Sequence, residues 1–225
     1  MQNLQFIVAV AVAAALGFLL WRKAQTSQQN ALNSPAILFG DILPLLSSSH
    51  TEPGPTVGTW KLVGEYRGHM FQIQTIVDVM VTRKLPSLWL MVTLPEPQPV
   101  RAIFDLMMRP AGPSTFSNFD FLAHVIATPS TFPMHAMIRT DDPEKLPATE
   151  IIAPHLKLFF GPKGKELLVS PKGLRIVVQA AQADRARYGV LREANFGAVV
   201  IDAELTVSCL NTLIDLQNSL KESDA

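Results

Sequence analysis

TVGTWKLVGEYRGHMFQIQTIVDVMV, residues 56–81, carries the reading on which the fold turns. Two runs rich in valine, isoleucine, tryptophan and phenylalanine flank Tyr66, Arg67 and Gly68, and Phe71, Gln72, Ile73 and Gln74 alternate between apolar and polar. Alternation with period two is the mark of a half-buried strand, and an Arg-Gly pair at the break predicts an antiparallel hairpin.

Further runs of the same kind follow downstream. Ser87 to Leu94, SLWLMVTL, is almost continuously apolar and predicts a strand covered on both faces. After the donor-poor connection PEPQP, VRAIFDLMM predicts another strand, and NFDFLAHVIATP and FPMHAMIRTD supply two short apolar segments bounded by prolines. Lys165 to Gln179, KELLVSPKGLRIVVQ, has apolar runs on either side of Pro171, Lys172 and Gly173, a second hairpin signal.

Helical signals are sparser. Asp142 followed by Pro143 reads as an N-cap with proline at the first helical position, and a second short turn starts near Ala148. Asp202 to Leu220 is the clearest soluble helix: Leu205, Cys209, Leu213, Leu216 and Leu220 recur at three-to-four spacing, with Asp202 as N-cap. Ala180 to Phe196 fits helix and strand equally. Many strands followed by a helix, without regular alternation, predict an α+β fold with a largely antiparallel sheet and a C-terminal amphipathic helix over one face.

Ahead of that domain, residues 4–23 read LQFIVAVAVAAALGFLLWRK. Leu4 to Trp21 spans about 27 Å as a helix, close to the hydrocarbon thickness of a bilayer. MQNLQ has no side-chain charge, and Trp21, Arg22 and Lys23 stand where a signal peptidase needs small residues, so the segment predicts a retained anchor. Arg22 and Lys23 at its C-terminal end place the body of the chain on the cytoplasmic side of an inner (cytoplasmic) membrane. A single cysteine, Cys209, agrees with a reducing compartment. Ala9, Ala13 and Gly17 share one helical face, where a second copy or another membrane protein can pack. The expected organisation is an anchor over 1–23, a juxtamembrane linker with a short apolar segment over 24–55, and an α+β domain over 56–225. Within the linker, Ile37 to Leu46 is too short to span and packs on the domain or at the interface, and Ser47 to Pro55 is a loop.

The 225 residues carry no net charge, and charged residues make up only 17%, below the roughly 25% usual for soluble domains. Lys157 to Arg192 holds eight cations against Glu166 and Asp184, whereas Glu193 to Ala225 holds six carboxylates against Lys221. Beyond Lys23 the anions outnumber the cations 19 to 17, with no aromatic-flanked basic motif, which excludes nucleic acid as an expected partner. Two surfaces read as contacts for a partner or for anionic headgroups: Arg83, Lys84 and Trp89 in RKLPSLWL, and the basic segment with Lys163, Lys165, Lys172, Arg175, Arg185 and Arg187.

No chemistry is spelled out. None of the five histidines stands at a familiar metal spacing, although His124 and His135 flank a turn and could meet across two strands. FGPKGKE lacks the spacing and hydroxyl of a phosphate loop, no GxGxxG or GxSxG occurs, and Asp141 and Asp142 read as capping residues. Cys209 lies on the helix's buried stripe and reads as a small hydrophobe. The expectation is a non-catalytic, cofactor-free, single-pass binding or scaffold protein serving a membrane complex as accessory subunit or assembly factor. A lipid-surface or apolar-ligand binder is the second reading, and an enzyme with a motif-free site the third.

Overall fold

The computed structural model describes residues 16–18, 34–54, 59–78, 85–110, 112, 114, 116–185, 188 and 194–224. Among the described residues nine strands form one sheet: β1 (Ser47–Pro53), β2 (Trp60–Tyr66), β3 (His69–Asp78), β4 (Ser87–Leu94), β5 (Phe104–Met108), β6 (His124–Ile126), β7 (Ala136–Thr140), β8 (Gly164–Ser170) and β9 (Gly173–Gln182). Their spatial order is β1-β2-β3-β4-β9-β8-β5-β7-β6, and every pairing is antiparallel. The expected α+β class with an antiparallel sheet and a C-terminal helix is the one observed.

The register sorts side chains by face. Leu62, Ile73, Val92, Ile176, Leu167, Leu106 and Ile138 stand opposite one another across seven strands, and all are fully buried. Helix α1 (Ala203–Asp224) covers this inner face with Cys209, Leu210, Leu213, Leu216 and Leu220. Asp202 caps it as expected, its Oδ1 accepting from Leu205 N at 3.1 Å, and the helix runs four residues past the predicted end at Leu220. Burial pushes the Cys209 thiol up to about 12, which keeps it protonated.

Both hairpins form where the turn residues lie. Tyr66 pairs with His69 across Arg67 (φ 52°) and Gly68 (φ 82°), the two positive φ values of the turn type that matches strand twist. Ser170 pairs with Gly173 in the other. Asp142 caps the 3₁₀ turn Pro143–Lys145, accepting from Glu144 N at 3.1 Å.

Several expectations are corrected. The predicted loop from Ser47 is edge strand β1 through Pro53; none of its side chains is buried, so it has no apolar period to read. Of the two placements expected for the preceding stretch, packing on the domain is the one observed: Leu38, Phe39 and Ile42 are fully buried in the main core, and Ile201 N donates to Leu38 O at 2.9 Å. The sheet and core therefore draw on residues well ahead of Thr56. β4 is buried on its inner face and only half-buried at Trp89, Met91 and Thr93, so its outer face is partly open. His124 stands opposite Thr140, at the far end of β7 from His135, and the two histidines do not meet.

Among the described residues no helix is long and apolar enough to cross a membrane. The expected anchor, Leu4 to Trp21, lies outside the described residues except for 16–18, which are helical.

A methyl group added at Gly68 meets no atom within 4 Å, so substitution there tests backbone conformation alone. Gly68→Ala should lower stability by about 1 kcal/mol, a drop of roughly 2–4 °C in Tm for a domain of this size, measured by circular-dichroism melting.

Candidate functional site: a cavity over a buried carboxyl pair

The outer face of the sheet is polar at one end and covered at the other. A strap over residues 116–122 crosses β5, β8 and β9, and its aromatic residues Phe116 and Phe119 pack with Ile76, Met107 and Val177 in a second small core. Phe116 lies against Trp89 with ring centroids 5.9 Å apart. On this outer face a row of side chains runs Val125, Arg139, Asp105, Leu168, Arg175, Thr93 from β6 to β4, exposed at Val125. Two cations and a carboxyl thus lie in line on a face that the strap dries.

Glu166 stands diagonally across from Arg175 and is fully buried. Arg175 donates from Nε to Glu166 Oε2 at 3.1 Å, and its Nη2 lies 3.0 Å from the same oxygen as an ion pair. Ser117 of the strap donates its hydroxyl to Glu166 Oε1 and accepts from Phe119 N at 3.1 Å. The strap is therefore fastened to the charged pair beneath it. Arg139 fastens it a second time, donating from Nη1 to the carbonyls of Asp120 and Leu122 at 3.0 and 3.1 Å with its guanidinium 5.3 Å from the Phe119 ring centroid.

Asp105 is the member left over. It is 1% exposed, and its Oδ1 has no hydrogen-bond partner among the described residues. Burial, reinforced by the nearby Glu166 and Asp120 and opposed by Arg175, pushes its carboxyl up to about 9. Burial also raises Glu166, against the pull of Arg175 and Ser117. Two interacting acids share one guanidinium, and the geometry places the retained proton on Asp105, since Glu166 holds the donors.

Beside Asp105 the strap and sheet leave a cavity of about 360 Å³, lined by Ile103, Asp105, Asn118, Leu122, Asp141, Leu168, Ser170, Pro171, Lys172 and Arg175. Leu168, Ile103 and Leu122 make its walls apolar; Asp141, whose Oδ1 accepts from Ile103 N at 2.7 Å, and Lys172 add charge. Among the described residues no group of three His, Cys, Asp or Glu is arranged to hold a metal ion.

The contact residues expected from sequence are scattered relative to this cavity. Lys172 and Arg175 line it. Trp89 is half-buried under the strap, its indole N–H donating to Asp78 Oδ2 at 3.4 Å. Lys165 lies 6.0 Å from the Trp89 ring centroid and donates to the carbonyls of Met108 and Arg109 at 2.9 and 3.3 Å. Lys163 is exposed, 3.9 Å from Asp202, and Arg185 is exposed beyond the end of β9. Gly17 lies in the helical residues 16–18, whereas Leu4, Ala9, Ala13, Trp21, Arg22, Lys23, Arg83, Lys84 and Arg187 lie outside the described residues. Asp105, Ser117, Asn118 and Arg139 are not among the residues that the sequence singles out. The available signal is a lone carboxylate inside an apolar strand, in IFDLMM and again in KELLV.

No protein-family model matches the chain, and no curated protein does. Among solved structures, the crystal structure of the mycobacterial trehalose monomycolate transport factor A, TtfA, is similar over 72% of this chain and 71% of that one, at 10% identity and a TM-score of 0.37. A likeness that loose carries no argument here.

Two outcomes follow from the carboxyl pair. Unfolded, Asp105 ionises near its ordinary 3.8, whereas folded it keeps its proton to about 9; its contribution to stability is full below pH ~4 and is lost as pH rises through that window. Asp105→Asn removes the loss, so it should raise stability at pH 8 by ~2 kcal/mol or more, about 4–8 °C in Tm, with the gain vanishing by pH 4 in melting curves. Arg175→Met strands Glu166 without its cation and should cost about 3–5 kcal/mol, most of which Arg175→Met combined with Glu166→Leu should restore.

Proposed function

We propose that the chain is a single-pass, membrane-anchored binding protein, an accessory subunit or assembly factor of a membrane complex, that recognises its partner at the strapped cavity on the outer sheet face. The observation that carries this reading is the cavity itself. It has a volume within the roughly 300–1,000 Å³ of ligand sites, apolar walls and a few convergent polar groups. In this reading Leu4 to Trp21 stays in the bilayer with Trp21, Arg22 and Lys23 at the cytoplasmic interface, and Ala9, Ala13 and Gly17 meet a partner helix.

Lys165 and Arg175 favour this reading over a basic headgroup-binding surface. Both turn their charge inward, one onto main-chain carbonyls and the other onto Glu166, which leaves fewer cations for anionic lipid. Ile37 and Val200, 50% and 49% exposed, neighbour the Ile201–Leu38 main-chain tie. They give an apolar corner close to where the chain arrives from the anchor.

The test uses the full chain, tagged and extracted in mild detergent. A stoichiometric membrane partner should co-purify, and Asn118→Trp, which plugs the cavity from an exposed position, should cut its recovery at least about tenfold without moving Tm. Full recovery with the plugged variant would remove the cavity from the reading, and release of the wild type by carbonate would remove the anchor.

A further inference from the structure

Asp105 is a buried carboxyl surrounded by donors that are committed elsewhere. Arg175 donates Nε–H to Glu166 and holds it as an ion pair through Nη2. Arg139, directly across the ladder on β7, is held to the strap carbonyls and the Phe119 ring, and its own Nε is buried without a partner among the described residues. The strap thus keeps an unmatched acceptor and an unmatched donor apart. Lys165 is tied to Met108 and Arg109. Of the remaining charged groups, Asp120 sits on the strap, and Lys172 and Asp141 line the cavity; none of them bonds Asp105.

A buried acceptor without a donor is costly, and here it lines a cavity with apolar walls of Ile103, Leu122 and Leu168. A ligand that fits must bring the missing N–H donors at one end and an apolar stem behind them. An anion would have to lie against Asp141 and would leave Asp105 protonated, with Arg175 engaged by Glu166 and Lys172 alone among the lining cations to meet it.

We propose that the cavity is a site for an organic monocation, an ammonium or guanidinium group on a short apolar stem, with Asp105 as its counter-ion. This rests on the reading of the cavity as the recognition site, and the cation is either a free small molecule or a lysine or arginine side chain of the partner. The proton that Asp105 holds in the empty site leaves when the cation arrives, because the new positive charge outweighs the burial that kept the carboxyl neutral. Glu166 keeps Arg175 and Ser117 throughout.

The test is calorimetry on the full chain in detergent with n-butylguanidinium, n-butylammonium and, as the anionic isostere, butyrate. Measurements at pH 7 in buffers of different ionisation enthalpy count protons. The two cations should bind with release of about one proton each, butyrate should not compete, and Asp105→Asn should weaken the cations at least about tenfold and abolish proton release. Butyrate binding as well as the cations, cation binding without proton release, equal binding by Asp105→Asn, or no binding at all would each overturn the proposal. The wild-type proton count and the butyrate comparison decide between these outcomes independently of the variant.

Loss of the co-purified partner with Asp105→Asn assigns the cation to a partner side chain, and retention of the partner assigns it to a free small molecule. If cations bind with proton release while no partner is found or Asn118→Trp leaves its recovery intact, the scaffold reading falls and the cation site stands.

Discussion

Successive side chains of a strand face opposite sides of the sheet, so the register between neighbouring strands decides where every charge in this domain goes. The pivotal adjustment lies between β8 and β9, where the register shifts between Gly164 and Glu166. The Ser170–Gly173 turn sets Leu167 opposite Ile176 on the side of α1 and Glu166 beside Arg175 on the other side, and the shift takes Lys165 out of the ladder. Without that shift Lys165 would stand opposite Val178, and its ammonium would enter the apolar layer beneath Leu210 and Leu213. With it, the charged residues collect on one face, and that face needs a cover.

The cover and the charges depend on each other. Phe116 and Phe119 exclude water from the outer face, which strengthens the Arg175–Glu166 interaction and makes ionised Asp105 unfavourable. In return Glu166 and Arg139 hold the strap through Ser117 and two main-chain carbonyls. Buried ion pairs of this kind contribute little net stability compared with apolar replacements. What this one contributes is position: it sets the strap at a fixed height above Leu168, and the gap that remains is the cavity.

Much of the framework is legible in the amino-acid order alone. The β2–β3 and β8–β9 hairpins announce themselves because their turn residues and apolar runs are local, and α1 because its stripe and cap are. Ser47–Pro53 is not legible, since an edge strand pairs through its backbone and needs no apolar face. The role of Leu38, Phe39 and Ile42 is hidden for another reason: a short apolar run is equally compatible with a bilayer interface and a protein core, and only packing against distant strands separates them. The site is the least legible part. Asp105, Glu166, Arg175 and Ser117 come from four separate segments, and nothing in a single sequence links FDLMM to KELLV until the strand order brings β5 beside β8.

The two outermost strands have a consequence for how the molecule behaves in a crowd. A sheet with open borders invites another chain to add on and grow into a fibre. β6 is only three residues long and offers too short a template for that. β1 carries a break in register near Ser48, whose φ is +50°, and ends at Pro53, so its free border is bent at one end and lacks a donor at the other. Nine strands can therefore lie side by side in this protein without recruiting a tenth from a neighbour.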